Sequence, residues 1–171
     1  GGTIASRPTE EGLAPGMDGD ALTRHFPLLS ENYALTVRDI LHLDSSNIQP
    51  EEWQLIARAV HDQRAAYDGV VITHGTDTMA YTASVLSFML RGIPIPVVLT
   101  GSQLPIEHPL TDALENLRIA FAMAASGTPG VFVAFDRKVI LGCRAVKTRT
   151  KGFDAFESVN WPPAALVDGG G

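Results

Sequence analysis

Between residues 35 and 135 the chain switches repeatedly between two hydrophobic periods, and few folds accept that alternation. Residues 35–43 alternate at Leu35, Val37, Asp39, Leu41 and Leu43 and read as a strand. Residues 50–67 read as a helix. Pro50 suits its first turn, Glu51 and Glu52 complement its dipole, and Trp53, Ile56, Ala57 and Val60 make one apolar face. Residues 69–73 form a short apolar strand of the fully buried type. The next helix, 76–90, is apolar around most of its circumference, which suits a helix packed deep in a layered domain. Gly92 stops it, and 95–100 is the following strand. A further helix over 112–125 ends at Gly127, with a strand at 131–135 and a hairpin-like segment at 138–147. Strands and helices alternating through short connections predict an α/β domain, a mostly parallel, Rossmann-like sheet flanked by helices.

One domain of this kind fits 171 residues, and 45% hydrophobic with 19% charged residues is ordinary globular composition. The net charge of −6 argues against a nucleic-acid partner, since a phosphate-tracking surface needs a basic excess. No apolar run approaches the ~20 residues that span a bilayer, so no membrane partner is expected. Cys143 has no second cysteine to pair with and reads as a small buried hydrophobe. The start on Gly1-Gly2-Thr3 without a methionine, and the close of 159–171 on Pro162-Pro163 and three glycines, read as cuts. The tail is expected to begin a linker to an absent domain.

Ligands of open parallel sheets bind beyond the carboxyl ends of the strands, so the residues after each strand are the candidates. Asp44, Ser45 and Ser46 follow Leu43. His74, Gly75, Thr76, Asp77 and Thr78 follow Thr73. Gly101, Ser102 and Gln103 follow Thr100, Lys147 flanked by Thr148 stands at the far end of the hairpin-like segment, and Thr3 stands where a first strand would end. Any one hydroxyl here is an ordinary turn or cap residue, and Asp77 alone is an ordinary dipole partner. Together they suit acyl transfer. A threonine hydroxyl attacks once a nearby base takes its proton, a lysine can be that base, and a second threonine can relay the proton. Backbone N–H groups at Gly75-Thr76 would face the oxyanion. The five histidines, at 25, 42, 61, 74 and 108, show no zinc-ligand spacing, and His74 reads as structural. GxGxxG, GxxxxGK[ST] and Gly-x-Ser-x-Gly patterns are all missing, which counts against a nucleotide cradle or an α/β-hydrolase elbow.

Gly1-Gly2-Thr3-Ile4 and His74-Gly75-Thr76-Asp77-Thr78-Met79 resemble the two signature motifs of bacterial L-asparaginases. Asp44-Ser45-Ser46, Thr100-Gly101-Ser102-Gln103, Val146-Lys147-Thr148 and Gly152-Phe153-Asp154-Ala155-Phe156 match in order and spacing. Ala80-Tyr81-Thr82-Ala83 is most similar to the cytoplasmic type I branch. The resemblance implies that residues 1–171 are the amino-terminal catalytic domain of an enzyme hydrolysing L-asparagine, or L-glutamine, without a cofactor. It implies Thr3 as nucleophile, Thr76 and Lys147 as a second catalytic pair with Asp77 beside them, and Ser45 and Asp77 as holders of the substrate α-carboxylate and α-amino group. Ser46 would also contact substrate, and the Ser102 carbonyl would face the leaving ammonia. A cytoplasmic homodimer or homotetramer follows from the same likeness, with little activity from the fragment alone.

Relatives carry a tyrosine on the loop after the first motif, where this chain has Leu13, and leucine cannot hydrogen-bond a threonine hydroxyl. Two other readings stay open. One is the ammonia-releasing subunit of a tRNA-dependent amidotransferase; the other is an amino-acid-binding domain without turnover.

Overall fold

The computed structural model describes residues 6–9, 12–15, 24, 27–41 and 44–169. In chain order the elements are β1 (Ser6–Thr9), β2 (Gly12–Pro15), α1 (Pro27–Asn32), a 3-10 turn (Ser45–Asn47), α2 (Pro50–Gln63), β3 (Val70–Thr73), α3 (Met79–Met89), β4 (Pro96–Thr100), α4 (Ala113–Ala124), β5 (Gly130–Phe135), β6 (Lys138–Leu141), a 3-10 turn (Gly142–Arg144), β7 (Ala145–Lys147), β8 (Phe156–Ser158) and β9 (Ala165–Leu166). The main sheet has the order β3-β4-β5-β6-β9. Its first three strands are parallel, and β6 and β9 close it antiparallel. β1 with β2, and β7 with β8, form two small antiparallel pairs.

Alternate residues of β4 and β5 serve two cores, as the period of two requires. Val97, Leu99, Val131, Val133 and Phe135 pack with Ile56, Val60, Met79 and Leu86 of α2 and α3. Val98, Phe132 and Ala134 pack with Ile119, Ala120 and Ala124 of α4 on the other face. Gly69 lets α4 settle there, because a Cβ at that position would lie 2.0 Å from the Ala124 carbonyl oxygen.

That division fixes a point of handedness. The connections β3–α3–β4 and β4–α4–β5 step across the sheet in the same direction, so two right-handed crossovers would leave both helices on one face. They lie on opposite faces, so the two connections have opposite hands. The chain leaving β3 and the chain leaving β4 therefore diverge. Helices leaving neighbouring strands for opposite faces is the arrangement beyond which other open sheets bind ligands.

Several expectations need correction. Residues 34–41 carry no strand, and 42–43 lie outside the described residues; Val37 and Ile40 are exposed. Alternation makes a strand only where a neighbour supplies ladder bonds, and none does so here among the described residues. β3 is half-buried rather than fully buried, since among the described residues it stands at the sheet edge. The hairpin does not lie within 138–147. It joins β5 to β6 through Asp136 and Arg137, both at positive φ (47° and 62°), as a two-residue turn requires, and β7 turns away to pair with β8.

α3 starts at Met79 rather than 76, and it is buried on one side only. Met79, Ala83 and Leu86 face the core, while Tyr81 and Phe88 are 67% and 75% exposed. Cys143 is exposed as well. Gly142 takes the inner position beside Ser87 and Val131, which turns its neighbour outward. In the tail, Ala165–Leu166 adds a short strand to the sheet edge.

Candidate active site

Three segments meet beyond the carboxyl ends of β3 and β4. The first leaves β3, where the His74 N–H still donates to the Thr100 carbonyl at 2.9 Å, and ends at the start of α3. The second leaves β4 at Gly101, which lies hard against the first: a Cβ there would stand 2.3 Å from the His74 carbonyl oxygen. The third is the end of β7, whose Lys147 sits opposite Phe156 of β8.

Lys147 Nζ donates to Thr76 Oγ1 at 2.9 Å and to Asp77 Oδ1 at 2.7 Å. The lysine side chain is only 13% exposed, whereas that of Asp77 is 74% exposed. Thr76 is buried. The cluster thus has a dry end, where the hydroxyl meets the ammonium, and a wet end carrying a carboxylate. A hydroxyl that both accepts and donates, held by a lysine, is suited to passing a proton.

Thr78 Oγ1 donates to the Ser45 carbonyl at 2.9 Å and so draws the turn after residue 44 against the start of α3. Ser45 is buried. Asp44 Oδ1 accepts from the Ser46 N–H at 3.0 Å, which shapes that turn and leaves Ser46 exposed. Ser102 is buried with its hydroxyl bound to the carbonyl of Leu104 at 2.5 Å, so the side chain is spent on its own loop. The structure therefore joins Thr76 and Asp77 through Lys147 and holds the Ser45 carbonyl on Thr78, the residue that follows. Thr3 lies outside the described residues, as does the side chain of Leu13.

Sequence reasoning missed the frame that holds these groups. Gln103 accepts from Thr76 Oγ1 at 3.3 Å and donates through Nε2 to the carbonyls of Thr150 (3.2 Å) and Gly152 (3.0 Å). The Asp112 carboxylate accepts the backbone N–H groups of Gln103 and Leu104 at 3.0–3.1 Å. Asn116, fully buried, donates to the Gly101 carbonyl at 3.0 Å and accepts from the Asp136 N–H at 2.9 Å. A polar residue on the inner stripe of α4, with Leu117 and Ala120, was the readable signal.

His74 belongs to this frame too. Its Nδ1 contacts the Gly75 carbonyl at 2.8 Å, which can only accept, so Nδ1 carries the hydrogen. Nε2 then accepts from Thr82 Oγ1 at 2.9 Å, and Thr82 accepts from Trp53 Nε1 at 2.8 Å. Burial lowers the His74 pKa from its ordinary value, offset in part by the bond to the Gly75 carbonyl. The neutral ring completes one directed chain of hydrogen bonds and orients the peptide that precedes Thr76. Among the described residues no group of three His, Cys, Asp or Glu side chains is disposed to hold a metal, and no helix is long and apolar enough to cross a membrane.

The profile of the amino-terminal asparaginase domain matches residues 1–171. The chain belongs to that family. It is 52% identical to an L-asparaginase of Thermococcus kodakarensis over 99% of its own length and 52% of that relative. The solved structure of the thermostable L-asparaginase from the same organism superposes with a TM-score of 0.91, again covering 99% of this chain and 52% of that one. L-asparaginase 1 of Escherichia coli K12 is 42% identical over 95% of this chain and 50% of that protein. A glutamyl-tRNA(Gln) amidotransferase subunit of Thermoplasma acidophilum is 36% identical over 99% of this chain and 43% of that protein. The asparaginase domain thus spans about half the length of the curated relatives it matches.

Proposed function

We propose that the whole protein hydrolyses L-asparagine to L-aspartate and ammonia. The observation that carries this reading is the double contact of Lys147 with Thr76 and Asp77 in the segment after β3. The hydroxyl of Thr3 attacks the side-chain amide carbon, the C–N bond breaks, and the proton that Thr3 gives up is made good on the nitrogen through the Thr76–Lys147 pair, so that ammonia leaves. Water then cleaves the acyl ester, releasing aspartate and restoring Thr3. The roles of Thr3, Ser45, Ser46 and Ser102 rest on the motif likeness. Asp77, exposed at the wet end, has the charge to hold an α-amino group, and the Ser45 carbonyl accepts from Thr78, the residue after it. A cytoplasmic type I enzyme, assembled as a homodimer or homotetramer and using no cofactor, completes the proposal.

The amidotransferase reading is favoured by three relatives of 36–39% identity, below the 52% and 42% of the two asparaginases named above. Ammonia release separates the two. The purified full-length protein is expected to release ammonia from free L-asparagine without added RNA or partner, and Thr3→Ala is expected to abolish it with the fold retained. Release that depends on a tRNA-charging partner would transfer the proposal to the amidotransferase class.

A further inference from the structure

The geometry points to Gln103 as a positioning residue that sets the direction of the Thr76 hydroxyl and couples it to the 148–152 segment. The direction follows from counting hydrogens. The carbonyls of Thr150 and Gly152 can only accept, so the Gln103 NH2 must face them, 3.2 and 3.0 Å away. Its Oε1 is then committed to Thr76, 3.3 Å away, and bears no hydrogen, so the Thr76 hydroxyl donates to it. A lone pair of Thr76 is left facing Lys147 Nζ at 2.9 Å. The order Lys147, Thr76, Gln103, carbonyl is thereby polarised in one sense from end to end.

The backbone of Gln103 is anchored independently. Its N–H and that of Leu104 are held by Asp112, which in turn accepts from Asn116 Nδ2 at 3.3 Å. One end of the glutamine is therefore fixed to α4 while its amide spans to a loop nearly fifty residues further on. For Thr76 to pass its hydrogen to a leaving group and take one from the Lys147 ammonium, the hydroxyl must leave Oε1 and turn. That turn breaks only the Thr76–Gln103 contact, while the two carbonyls keep the amide from rotating with it. Gln103 thus supplies a defined resting state for a proton relay.

This inference rests on the amide-hydrolysis reading for its kinetic arm only. In the full-length protein, Gln103→Met keeps the length and removes both donor and acceptor. It is expected to lower kcat for ammonia release from L-asparagine by about tenfold to a hundredfold, with KM changed far less. Gln103→Glu presents a carboxylate to two carbonyls when ionised, but when protonated it restores one donor and one acceptor. Its kcat relative to wild type is expected to recover as pH falls, a recovery absent from Gln103→Met. A second arm needs no turnover: amide hydrogen exchange at 148–153 is expected to accelerate about tenfold in Gln103→Met, with the rest of the fold unchanged. Parallel pH profiles for the two variants, kcat within about twofold of wild type in Gln103→Met, or unchanged exchange at 148–153 would each overturn the inference. A wild-type protein that releases no ammonia, with exchange still accelerated in the variant, would overturn the asparaginase reading and leave the coupling standing.

Discussion

Lys147 Nζ stands 2.9 Å from Thr76 Oγ1 although 71 residues separate them in the chain. The contact exists because β7 turns away from β6 and pairs with β8, carrying its last residue to the start of α3.

The first prediction follows from that pair. Lys147→Met in the full-length protein should lower kcat for ammonia release by about a hundredfold to ten-thousandfold, the range of a general acid–base group. Thr76→Ala should do the same, and the double variant should be little worse than either single one, because the two act as one unit. Steady-state kinetics checks this. Additive losses would mean that the two side chains serve separate steps.

The second concerns the close approach of the segments leaving β3 and β4. Gly101→Ala would place a methyl group 2.3 Å from the His74 carbonyl oxygen and 2.9 Å from the Met79 side chain. Backbone cannot yield as a side-chain tip does, so the 101–104 loop must move outward, at a cost of about 2 kcal/mol or more. Gln103 moves with it. Urea unfolding should report the lost stability, and kcat should fall with it.

Much of this was legible in the sequence because it rests on local chemistry. Val97 to Leu99 and Val131 to Phe135 are apolar on both faces, which is how strands covered by helices on both sides read. Thr76 and Asp77 stood out by following a strand, and Lys147 by standing at the end of the hairpin-like segment. What failed to show depends on partners far away in the chain. Residues 35–43 alternate properly, yet alternation cannot report whether a neighbour is present. The hands of the two crossovers follow from which face each helix covers, and no residue pattern near β3 or β4 states that. Gln103 binds two backbone carbonyls, and every residue has one, so no side-chain motif announces its role.

Asn116 supports a third prediction. Its amide satisfies the Gly101 carbonyl, the Asp112 carboxylate and the Asp136 N–H within a buried setting. Asn116→Ala leaves at least two of these without a partner, and each unsatisfied buried group costs about 1–3 kcal/mol. Equilibrium unfolding should show a loss of roughly 3 kcal/mol. Asn116→Asp keeps the acceptor for Asp136 but loses the donors and adds a charge beside Asp112, so it should be no better. A near-neutral Asn116→Ala would mean that water replaces the amide.

The last prediction concerns pH. The His74 tautomer is fixed from both sides: Nδ1–H donates to the Gly75 carbonyl, and Nε2 accepts from Thr82, which is itself fixed by Trp53. A proton on Nε2 would point at the Thr82 oxygen, which already receives the indole N–H, and would force the Thr82 hydroxyl hydrogen away from its acceptor. Burial opposes the charge as well, so the folded-state pKa lies below the ordinary 6.5. The unfolded chain therefore binds this proton first as pH falls. The contribution to stability is complete above about pH 6.5 and is lost as pH drops from there through the folded-state value. The urea midpoint of the protein should be flat above neutrality and decline on acidification below about 6.5, and His74→Gln should flatten that decline while lowering the midpoint at about pH 8. Thr82→Val should cost about 1–3 kcal/mol at that pH, because it strands Nε2 inside the protein, and it should make protonation of His74 easier by freeing that nitrogen. A decline of the same steepness in wild type and His74→Gln would place the acid sensitivity in other groups.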